Sequence, residues 1–547
     1  MASKESLIKL LGSIDGKPYA KYMEMASSYD LDGLTLYADK IQSEPSSVSF
    51  MRLRVSFAMS GFPDDTHDTE TKDTALRDLI ARRFWESCRI FAKGNAGGDQ
   101  GGAISIPRPG QEILARSSVV TSPSFIEVRF KASLPSAGRN VAGRSAEKML
   151  TENLTEIAKS SLFFGSYKQS KLYNHLNTAV TAQSIRSSLR ERGLTAFIAD
   201  GSVLPRREDG MAPMIGAVPF TSPDCLRISF TTADGNIVEG TGIPEGITAI
   251  IGATGQGRST LIDAISAGVY NHIPGDGREL VITVEDAAVV SRDIGRSVRN
   301  ADVSIFMKDS TRDVRSISSD NADDALSSAV SASEALELGC GLLITDDTSV
   351  NHGLLYRDEN INSLIPEGDE KMIPMKHAIR NLPGISLIYA CRHGDALDAD
   401  TVMVMSEYTA IRSIRNTITK HDAVYSQTER LPISKNMNSA KGRKDANSVA
   451  LSASKTEFGE TVIRIPQPVA DVCQMAAIAD AMLIAKDMMD GTVTMRETAE
   501  KAEEIQRKKI NSAEVSVGPE MAAFRKYDLA VVINRHPDMV AARKSLQ

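Results

Sequence analysis

The sequence is short of cysteine, of aromatic residues and of long apolar runs. Its 547 residues include one tryptophan, and aromatic residues make up 5% of the chain. No run approaches the roughly eighteen apolar residues of a membrane span, so the sequence predicts no membrane partner. The cysteines are scattered and never in C-x-x-C spacing, which argues against a disulfide framework and indicates reduced structural thiols. They are Cys88, Cys225, Cys340, Cys391 and Cys473.

The charge balance and the length narrow the class of protein. A net charge of −7 gives no global field toward nucleic acid or a membrane, so any such contact must be a local patch. The composition is that of a soluble globular protein, and the length predicts roughly two to four domains. Met1–Ser6 contains no apolar signal core and carries an early acid, which argues against secretion. We therefore expect a cytoplasmic location, with organelle import left open.

The two ends of the chain are predicted to be largely helical. Residues 4–42 carry leucines at helical spacing and are predicted to be mostly helix. Near the other end, an Ala- and Met-rich helix is predicted over residues 468–489, and a charged helix over residues 494–509. These segments are interpreted as core packing, because apolar side chains at helical spacing are typical of packed helices.

The most informative stretch is an apolar strand followed by a glycine-rich loop and a helix start. Ile247–Ile251 predicts a buried strand, and Leu261–Ile265 an amphipathic helix. The glycines let backbone N–H groups surround an anion, and the helix N-terminus adds donors and a favourable dipole. This context predicts a phosphate-binding loop, or P-loop, and the alternative is an ordinary strand–turn–helix corner. The candidate binding residues are Gly252, Gly255, Gln256, Gly257, Arg258, Ser259 and Thr260.

A second candidate feature is Gly341–Ser349, an apolar strand that ends in acidic residues. Asp346 and Asp347 stand at its end, which is the layout of a Walker B strand that holds Mg²⁺ and supplies a base for water. A core strand that happens to end in an acidic turn would have the same pattern. Further apolar strands are predicted at Ile385–Ala390 and Thr401–Ser406. Strands that alternate with helices predict a doubly wound α/β sheet, which binds its ligand along one edge.

Other polar and basic segments carry no complete motif. His272, in the loop Val269–Arg278, lies where a sensor for a γ-phosphate or Mg²⁺ could sit, although a lone histidine is more often a structural hydrogen-bonder. Basic residues occur at Arg139 and Arg144 and in Lys441–Lys444. They could hold the phosphates of a nucleotide or a nucleic acid, or they could be solvated turns.

Motifs along most of the chain, together with the P-loop, resemble those of the predicted ATPases of the ABC class. They are Gly268–Glu279 behind the P-loop, Arg108–Glu112, Leu134–Arg139, Asp200–Arg207, Gly216–Phe220, Gly295–Val298 and Asp347–Ser349. The resemblance implies an α/β fold. A P-loop NTPase domain of ABC type at residues 166–440 would follow an N-terminal α+β domain at 1–165 and precede a small C-terminal α/β domain at 441–547. It also implies ATP and Mg²⁺ as ligands, and two subunits that close head-to-tail around nucleotide.

Catalytic positions of that family are altered in this chain. Arg258 stands in place of the P-loop lysine, and a planar guanidinium is not a conservative substitute for a compact ammonium. The family's Walker B pattern is apolar–Asp–Glu–Asp–Thr–Ser. Here the metal-holding Asp is replaced by Thr345, and Asp346, which is shorter by a methylene, stands at the position of the catalytic Glu. Losing one preorganised charge-stabilising group costs roughly 10²–10³ in rate.

The family's signature segment is altered as well. It opens the helix that leads to the Walker B strand and aligns with Asn321–Ser328, where Asp323 and Asp324 would repel a γ-phosphate presented by the partner subunit. Efficient hydrolysis is therefore not expected. Phosphate binding by the backbone of the glycine-rich loop depends less on these side chains and is expected to persist.

The leading hypothesis is an ABC-class ATPase-family protein that binds ATP with weak or lost hydrolysis. The P-loop residues would contact phosphates, Ser259 and Asp347 would hold Mg²⁺, and Asp346 would be the remaining candidate base. One alternative is an active ATP hydrolase. Another is a non-catalytic scaffold, acting as a homodimer or as a subunit of a larger assembly that could contain RNA.

Overall fold

The fold is described from a computed structural model of the chain. It describes residues 1–92, 102–208, 210–308, 311–355, 372–392, 398–415, 427–434, 438–439, 448–452, 460–464, 468–514 and 517–543. The chain divides into two compact units, residues 1–179 with 507–523 and residues 180–506 with 524–547. The three-domain division implied by the resemblance stays a prediction. The basic stretch Lys441–Lys444 lies outside the described residues.

The first unit is built on a largely antiparallel sheet with helices. Its strands are β1 (Ala2–Ser3), β2 (Ser28–Leu31), β3 (Leu34–Lys40), β4 (Ser49–Ser56), β5 (Ala103–Ser105), β6 (Glu112–Ile113), β7 (Val119–Thr121), β8 (Phe125–Ser133), β9 (Ser136–Ala137) and β10 (Asn140–Val141). Its helices are α1 (Lys4–Ile14), α2 (Phe57–Ser60), α3 (Glu70–Phe91), α4 (Gly143–Glu147), α5 (Leu154–Ser161) and the start of α6 (Gln169–Leu189). The main sheet has the order β1-β2-β3-β4-β8-β5, with β7 also paired to β8.

The prediction that residues 4–42 are mostly helical is confirmed for α1 and for the short 3₁₀ helix Tyr19–Met25, and it is wrong beyond them. β2 and β3 form an antiparallel hairpin in which Leu31 pairs with Leu34. The turn residues Asp32 and Gly33 have positive φ angles of 58° and 94°. An Asp-Gly turn between alternating apolar residues is a strong hairpin signal, and here it outweighs the helical spacing of the leucines.

The second unit contains the predicted P-loop and Walker B strands. Its strands are β11 (Leu194–Ala199), β12 (Arg227–Thr231), β13 (Ile237–Pro244), β14 (Ile247–Ile251), β15 (Asn271–His272), β16 (Val281–Thr283), β17 (Ala287–Val289), β18 (Val298–Ala301), β19 (Ile317–Ser319), β20 (Leu342–Asp346), β21 (Ser386–Cys391), β22 (Thr401–Ser406), β23 (Thr409–Arg415), β24 (Arg430–Ile433), β25 (Asn438–Ser439), β26 (Ser448–Ser452), β27 (Glu460–Arg464) and β28 (Val540–Arg543).

The helices of the second unit follow several of these strands. They are α7 (Arg258–Ala267), α8 (Asp324–Glu337), α9 (His352–Leu355), α10 (Met375–Arg380), α11 (Val472–Met488), α12 (Met495–Asn511), whose last turn lies in the first unit, and α13 (Lys526–Arg535). α11 and α12 confirm the two helices predicted near the end of the chain. No helix in the described part of the chain is long and apolar enough to cross a bilayer.

The central sheet of the second unit has the order β17-β20-β21-β14-β22-β23. The strands β17, β20, β21, β14 and β22 are parallel, and β23 is an antiparallel edge strand. This confirms the predicted α/β sheet. Because parallel strands end at the same edge, the C-terminal ends of β14, β20 and β21 lie together, and this edge is where such sheets bind ligands.

A buried ion-pair network joins α8 to the end of the chain. Glu334 of α8 accepts two hydrogen bonds from Arg296 at 2.7 and 2.8 Å, and Arg430 lies 3.7 Å from its carboxylate. Burial alone raises the pKa of Glu334, but the charges of Arg296 and Arg430 hold it below its ordinary value. Burial lowers the pKa of the neighbouring Arg535 in α13 to about 10. The network therefore fixes the helix that precedes the Walker B strand.

We predict that Glu334→Gln lowers the free energy of unfolding by about 3–5 kcal/mol, because it leaves the buried guanidinium of Arg296 without its anion. Urea unfolding of the full chain measures the loss. The matched control is Glu156→Gln, which removes an ion pair to Lys159 whose side chains are 50% and 62% exposed. The control should change stability by about 0.5 kcal/mol or less. Equal effects of the two substitutions would contradict a stabilising network.

The contribution of Glu334 to the free energy of unfolding should depend on pH. Because the pKa of Glu334 is lower in the folded chain, its contribution is complete above the ordinary carboxyl pKa near 4.5. The contribution is lost as the pH falls through the lower folded-state pKa. The stability difference between wild type and Glu334→Gln should therefore shrink in acid.

Candidate functional site

The P-loop connects β14 to α7 and has the backbone conformation that an anion site needs. Gly255 and Gly257 adopt positive φ angles of 80° and 90°, which residues with a side chain rarely adopt. A Cβ on Gly252 would lie 2.6 Å from the carbonyl oxygen of Met405 in β22, so only glycine fits there. α7 begins at Arg258, and its first amides have no partner within the helix. The loop can therefore present backbone N–H groups to phosphate.

Arg258 does not extend freely from the start of this helix. Its Nη1 lies 3.3 Å from Oδ2 of Asp347, just beyond β20, and the two side chains are 8% and 5% exposed. Arg392, at the end of β21, approaches the same oxygen at 3.7 Å and is 53% exposed. The residue that replaces the P-loop lysine is thus held in a buried ion pair. Asp347, the predicted metal ligand, lies between two cationic groups.

The end of β20 brings Asp346 to the P-loop helix. Burial alone raises the pKa of Asp346, but hydrogen bonds from Ser349, Thr348 and Ser259 outweigh it and hold the pKa below its ordinary value. Its Oδ1 accepts from the amide of Thr348 at 3.1 Å and from the hydroxyl at 2.8 Å. Asp346 is thus an acid of this edge whose pKa the hydroxyl of Ser259 helps to lower.

Thr345, which stands at the family's metal-holding Asp, faces the core. It is 1% exposed, and its hydroxyl donates to the carbonyl oxygen of Val290 at 3.0 Å. The hydroxyl is therefore satisfied by the backbone of the neighbouring loop and is not presented to the P-loop.

Asp263 is a further carboxylate of the P-loop helix that the sequence analysis did not single out. It follows Ser259 by four residues and therefore lies on the same face of α7. The pKa of Asp263 lies above its ordinary value. Burial and the charge of Asp346 raise it, and together they outweigh the charge of Arg278, which lowers it. The i,i+4 spacing from Ser259 was the signal that could have drawn attention to this second carboxylate.

The altered signature segment forms the start of α8, as predicted. Asp323 is the N-cap, and its Oδ1 accepts from the amide of Leu326 at 2.8 Å. Asp324 lies 3.4 Å from Arg292 and accepts from Asn351 at 2.9 Å. Both acids therefore have local structural partners, since a carboxylate at a helix start satisfies unpaired amides and interacts favourably with the dipole.

His272 has structural partners on both ring nitrogens. Its Nδ1 lies 2.8 Å from Oδ2 of Asp276, and its Nε2 lies 3.2 Å from the carbonyl oxygen of Ala267. Arg206 donates to both carboxylate oxygens of Asp276 at 2.9 and 2.7 Å. These contacts favour the structural interpretation of His272. They also join two motifs that carried the resemblance, Asp200–Arg207 and Gly268–Glu279.

The basic turn of the first unit is a surface feature. Arg139 lies in the turn between β9 and β10, and Arg144 lies in the first turn of α4. Both side chains are exposed. Whether they contact nucleic acid stays a prediction.

We predict a coupling energy of about 1–3 kcal/mol between Arg258 and Asp347 in a double-mutant cycle of alanine substitutions. The reason is that removing either side chain leaves the charge of the other buried without this partner. Unfolding free energies of the variants measure it. The matched cycle of Arg392 with Asp347 should give about 0.5 kcal/mol or less, since Arg392 is half exposed. No coupling in the first cycle would mean that Arg258 has another partner.

Two protein-family models match consecutive parts of the chain. The P-loop domain model of the ABC ATPase family matches residues 168–443, and the model of the N-terminal region of ATPases of the ABC class matches residues 4–165. The uncharacterized protein MJ1628 of Methanocaldococcus jannaschii is 30% identical over 146 residues, which cover 25% of this chain and 32% of that protein. The chain thus spans about a third of that relative.

Solved ABC proteins show a distant likeness to parts of the chain. A bacterial Atm1-family ABC exporter with ATP bound is 9% identical over 50% of each chain, with a TM-score of 0.24. The protein cbiO1 from Clostridium perfringens, part of the ABC transporter complex cbiONQ, is 16% identical over 34% of this chain and 85% of its own, with a TM-score of 0.20. The family models, in contrast, match long consecutive parts of the chain. Because the P-loop domain model alone matches half of it, the chain belongs to the family of ATPases of the ABC class.

Proposed function

We propose that the chain binds ATP with Mg²⁺ at the P-loop and hydrolyses it slowly or not at all. The observation that carries the proposal is the contrast between backbone and side chains at this site. The loop keeps the conformation that presents amides to phosphate, whereas Arg258 is paired with Asp347. In this proposal the backbone still binds phosphate, whereas the charge of Arg258, which turnover would need, is paired with Asp347.

Phosphate recognition in this proposal depends on the glycine loop and on α7. Amides of the loop and of the first turn of α7 would donate to the phosphate oxygens, and the helix dipole would favour their charge. Gly252, Gly255, Gln256, Gly257, Arg258, Ser259 and Thr260 form this segment. Because the donors are backbone groups, the lysine-to-arginine change removes only part of the recognition.

The donor set beside Ser259 fits Mg²⁺. This cation takes hard oxygen ligands, usually one or two carboxylates together with phosphates and waters. The hydroxyl of Ser259 helps to lower the pKa of Asp346, which stays ionised at neutral pH. We infer that these two side chains hold the cation directly or through water. The metal would neutralise phosphate charge, and the prediction that Asp347 is also a ligand remains untested.

Slow turnover follows from the remaining side chains. A general base works best with a pKa near the working pH, whereas the hydrogen bonds to Asp346 lower its pKa. Thr345 offers no charge, and the guanidinium of Arg258 is paired with Asp347. Several groups that normally act together are altered, so their separate losses need not multiply. A head-to-tail homodimer also stays a prediction. In such a dimer the start of α8 would face the γ-phosphate, and the negative charges of Asp323 and Asp324 argue against that contact.

The first test is binding of a fluorescent ATP analogue to wild type and Gly255→Ala. We expect the variant to bind about fivefold more weakly or worse, because a side chain at φ 80° strains the binding conformation of the loop. The matched control is Gly12→Ala in α1, where an added Cβ meets no atom within 4 Å and φ is not positive. Absence of binding by wild type, or equal binding by all three proteins, would contradict the proposal.

The second test separates the two acids at the end of β20. Asp346→Asn should abolish most of the increase in ATP affinity that Mg²⁺ gives, because it removes the charge beside Ser259. Asp347→Asn should instead raise ATP affinity by about tenfold, because it frees Arg258 for a charge-assisted hydrogen bond to phosphate. Titrations with and without Mg²⁺ measure both effects. A loss of affinity in Asp347→Asn would argue that this residue, not Asp346, serves the nucleotide.

A further inference from the structure

A small cavity is lined by residues of α8, of β17 and of α13 with the residue before it. Its volume is about 30 Å³, whereas one water molecule needs about 10–15 Å³ by the same measure. The charged and amide groups of its wall belong to Glu334, Arg525, Asp528, Asn534 and Arg535. The cavity is therefore large enough for a small ligand, and it adjoins the ion-pair network of α8.

The side-chain amide of Asn534 provides a buried donor at this cavity. The residue is 1% exposed, and its Oδ1 accepts a hydrogen bond from Nη2 of Arg430 at 3.0 Å. Because a guanidinium only donates, this contact fixes which end of the amide is the oxygen. The other end, Nδ2, is buried and has no hydrogen-bond partner in the described part of the chain. Since buried donors are almost always paired in proteins, this group needs an acceptor.

Arg525 provides a second donor of the same kind. Its Nη1 donates to the carbonyl oxygens of Glu285 and Ala287 at 3.2 and 2.7 Å, and its Nη2 donates to Oδ1 of Asp528 at 3.4 Å. Its Nε is buried and has no partner among the residues that the structure describes. Because this atom and Nδ2 of Asn534 both carry N–H groups, only a ligand that accepts hydrogen bonds can satisfy them.

The carboxylates of the cavity wall serve other donors. The two oxygens of Glu334 accept from Arg296 at 2.7 and 2.8 Å. Oδ2 of Asp528 accepts from the hydroxyl of Tyr270 and from the backbone amide of Arg525, both at 3.0 Å. The acceptor that the two unpaired donors need is therefore not provided by these acids.

The buried charges around the cavity do not balance. Four largely buried guanidinium groups face three buried carboxylates in these contacts, namely Arg296, Arg430, Arg525 and Arg535 with Glu334, Glu337 and Asp528. The carboxylate that pairs with Arg535 belongs to Asp293 and is 34% exposed, so water screens its charge. Burial and the charge of Arg296 lower the pKa of Arg535 to about 10, the direction expected where buried positive charge is in excess.

We propose that this cavity is a binding site for a small monovalent anion, and that chloride is its ligand. The anion accepts hydrogen bonds from Nε of Arg525 and Nδ2 of Asn534, and it balances the excess positive charge between α8 and α13. A water molecule would satisfy the donors but not the charge. Anion binding here is independent of the proposed function, because the cavity wall contains none of the P-loop residues.

The first test is urea unfolding of the full chain in sodium chloride and in sodium gluconate of equal ionic strength, because gluconate is too large for the cavity. We expect the unfolding equilibrium constant to be about tenfold lower in chloride, at a concentration about ten times the dissociation constant. Asn534→Asp places a fixed carboxylate at the cavity, so this variant should show no such difference. The matched control is Asn174→Asp, at an exposed position of α6, which should respond to chloride as wild type does.

The second test locates the anion in crystals of wild type and Asn534→Asp grown with sodium bromide, because the anomalous scattering of bromide marks its position. A bromide peak between Arg525 and Asn534 in wild type that is lost in the variant supports the site. A cavity that holds only water, or equal chloride effects on the stability of wild type and Asn534→Asp, would overturn the proposal. Bromide bound only at molar concentration would overturn it as well, because the site would then not hold chloride in dilute salt.

Discussion

The buried ion pair between Arg258 and Asp347 is the contact that most determines the chemistry of the site. It joins the first residue of α7 to the residue after β20, which are the two elements that would enclose the phosphates and the metal. A guanidinium has a planar fork that suits a carboxylate, whereas the family's lysine is a point charge that suits a phosphate oxygen. The pair therefore stabilises the site while it competes with the ligand for the positive charge. In the proposed function, recognition of phosphate would depend mainly on backbone amides, which the substitutions at the catalytic positions do not remove.

The fold tolerates these changes because its own requirements differ from those of catalysis. The parallel register of β14, β21 and β20 depends on apolar strands and backbone hydrogen bonds, none of which needs a catalytic acid. Thr345 illustrates the point, since its hydroxyl is satisfied by the carbonyl of Val290 and its β-branched side chain suits a buried strand. At the start of α8, Asp323 is a good N-cap although it is a poor neighbour for a phosphate. Local stability and turnover are thus decided by different properties of the same residues.

The parts of the structure that follow from local pattern could be predicted from the sequence, and those that depend on distant partners could not. The apolar runs of β14 and β20 and the glycines between β14 and α7 predicted the parallel sheet and the P-loop, because a buried strand before a glycine loop has few alternatives. The hairpin at β2 and β3 was predictable from Asp32 and Gly33, but leucine spacing was given more weight. The partner of Arg258 lies 89 residues away along the chain, and the turn at Tyr408, between β22 and β23, has neither glycine nor asparagine to mark its positive φ. Neither feature has a signal within its own segment.

A single-turnover experiment distinguishes a chain that holds ATP without efficient hydrolysis from a working ATPase. Protein in excess over γ-labelled ATP is incubated with Mg²⁺, and the bound nucleotide is recovered and analysed over time. We expect most of the nucleotide to be protein-bound and to be recovered as intact ATP over many minutes. Recovery of bound ADP with release of labelled phosphate within seconds would contradict this expectation, because Arg258 and Asp346 would then suffice for catalysis. Recovery of no bound nucleotide would contradict the proposal that the chain binds ATP.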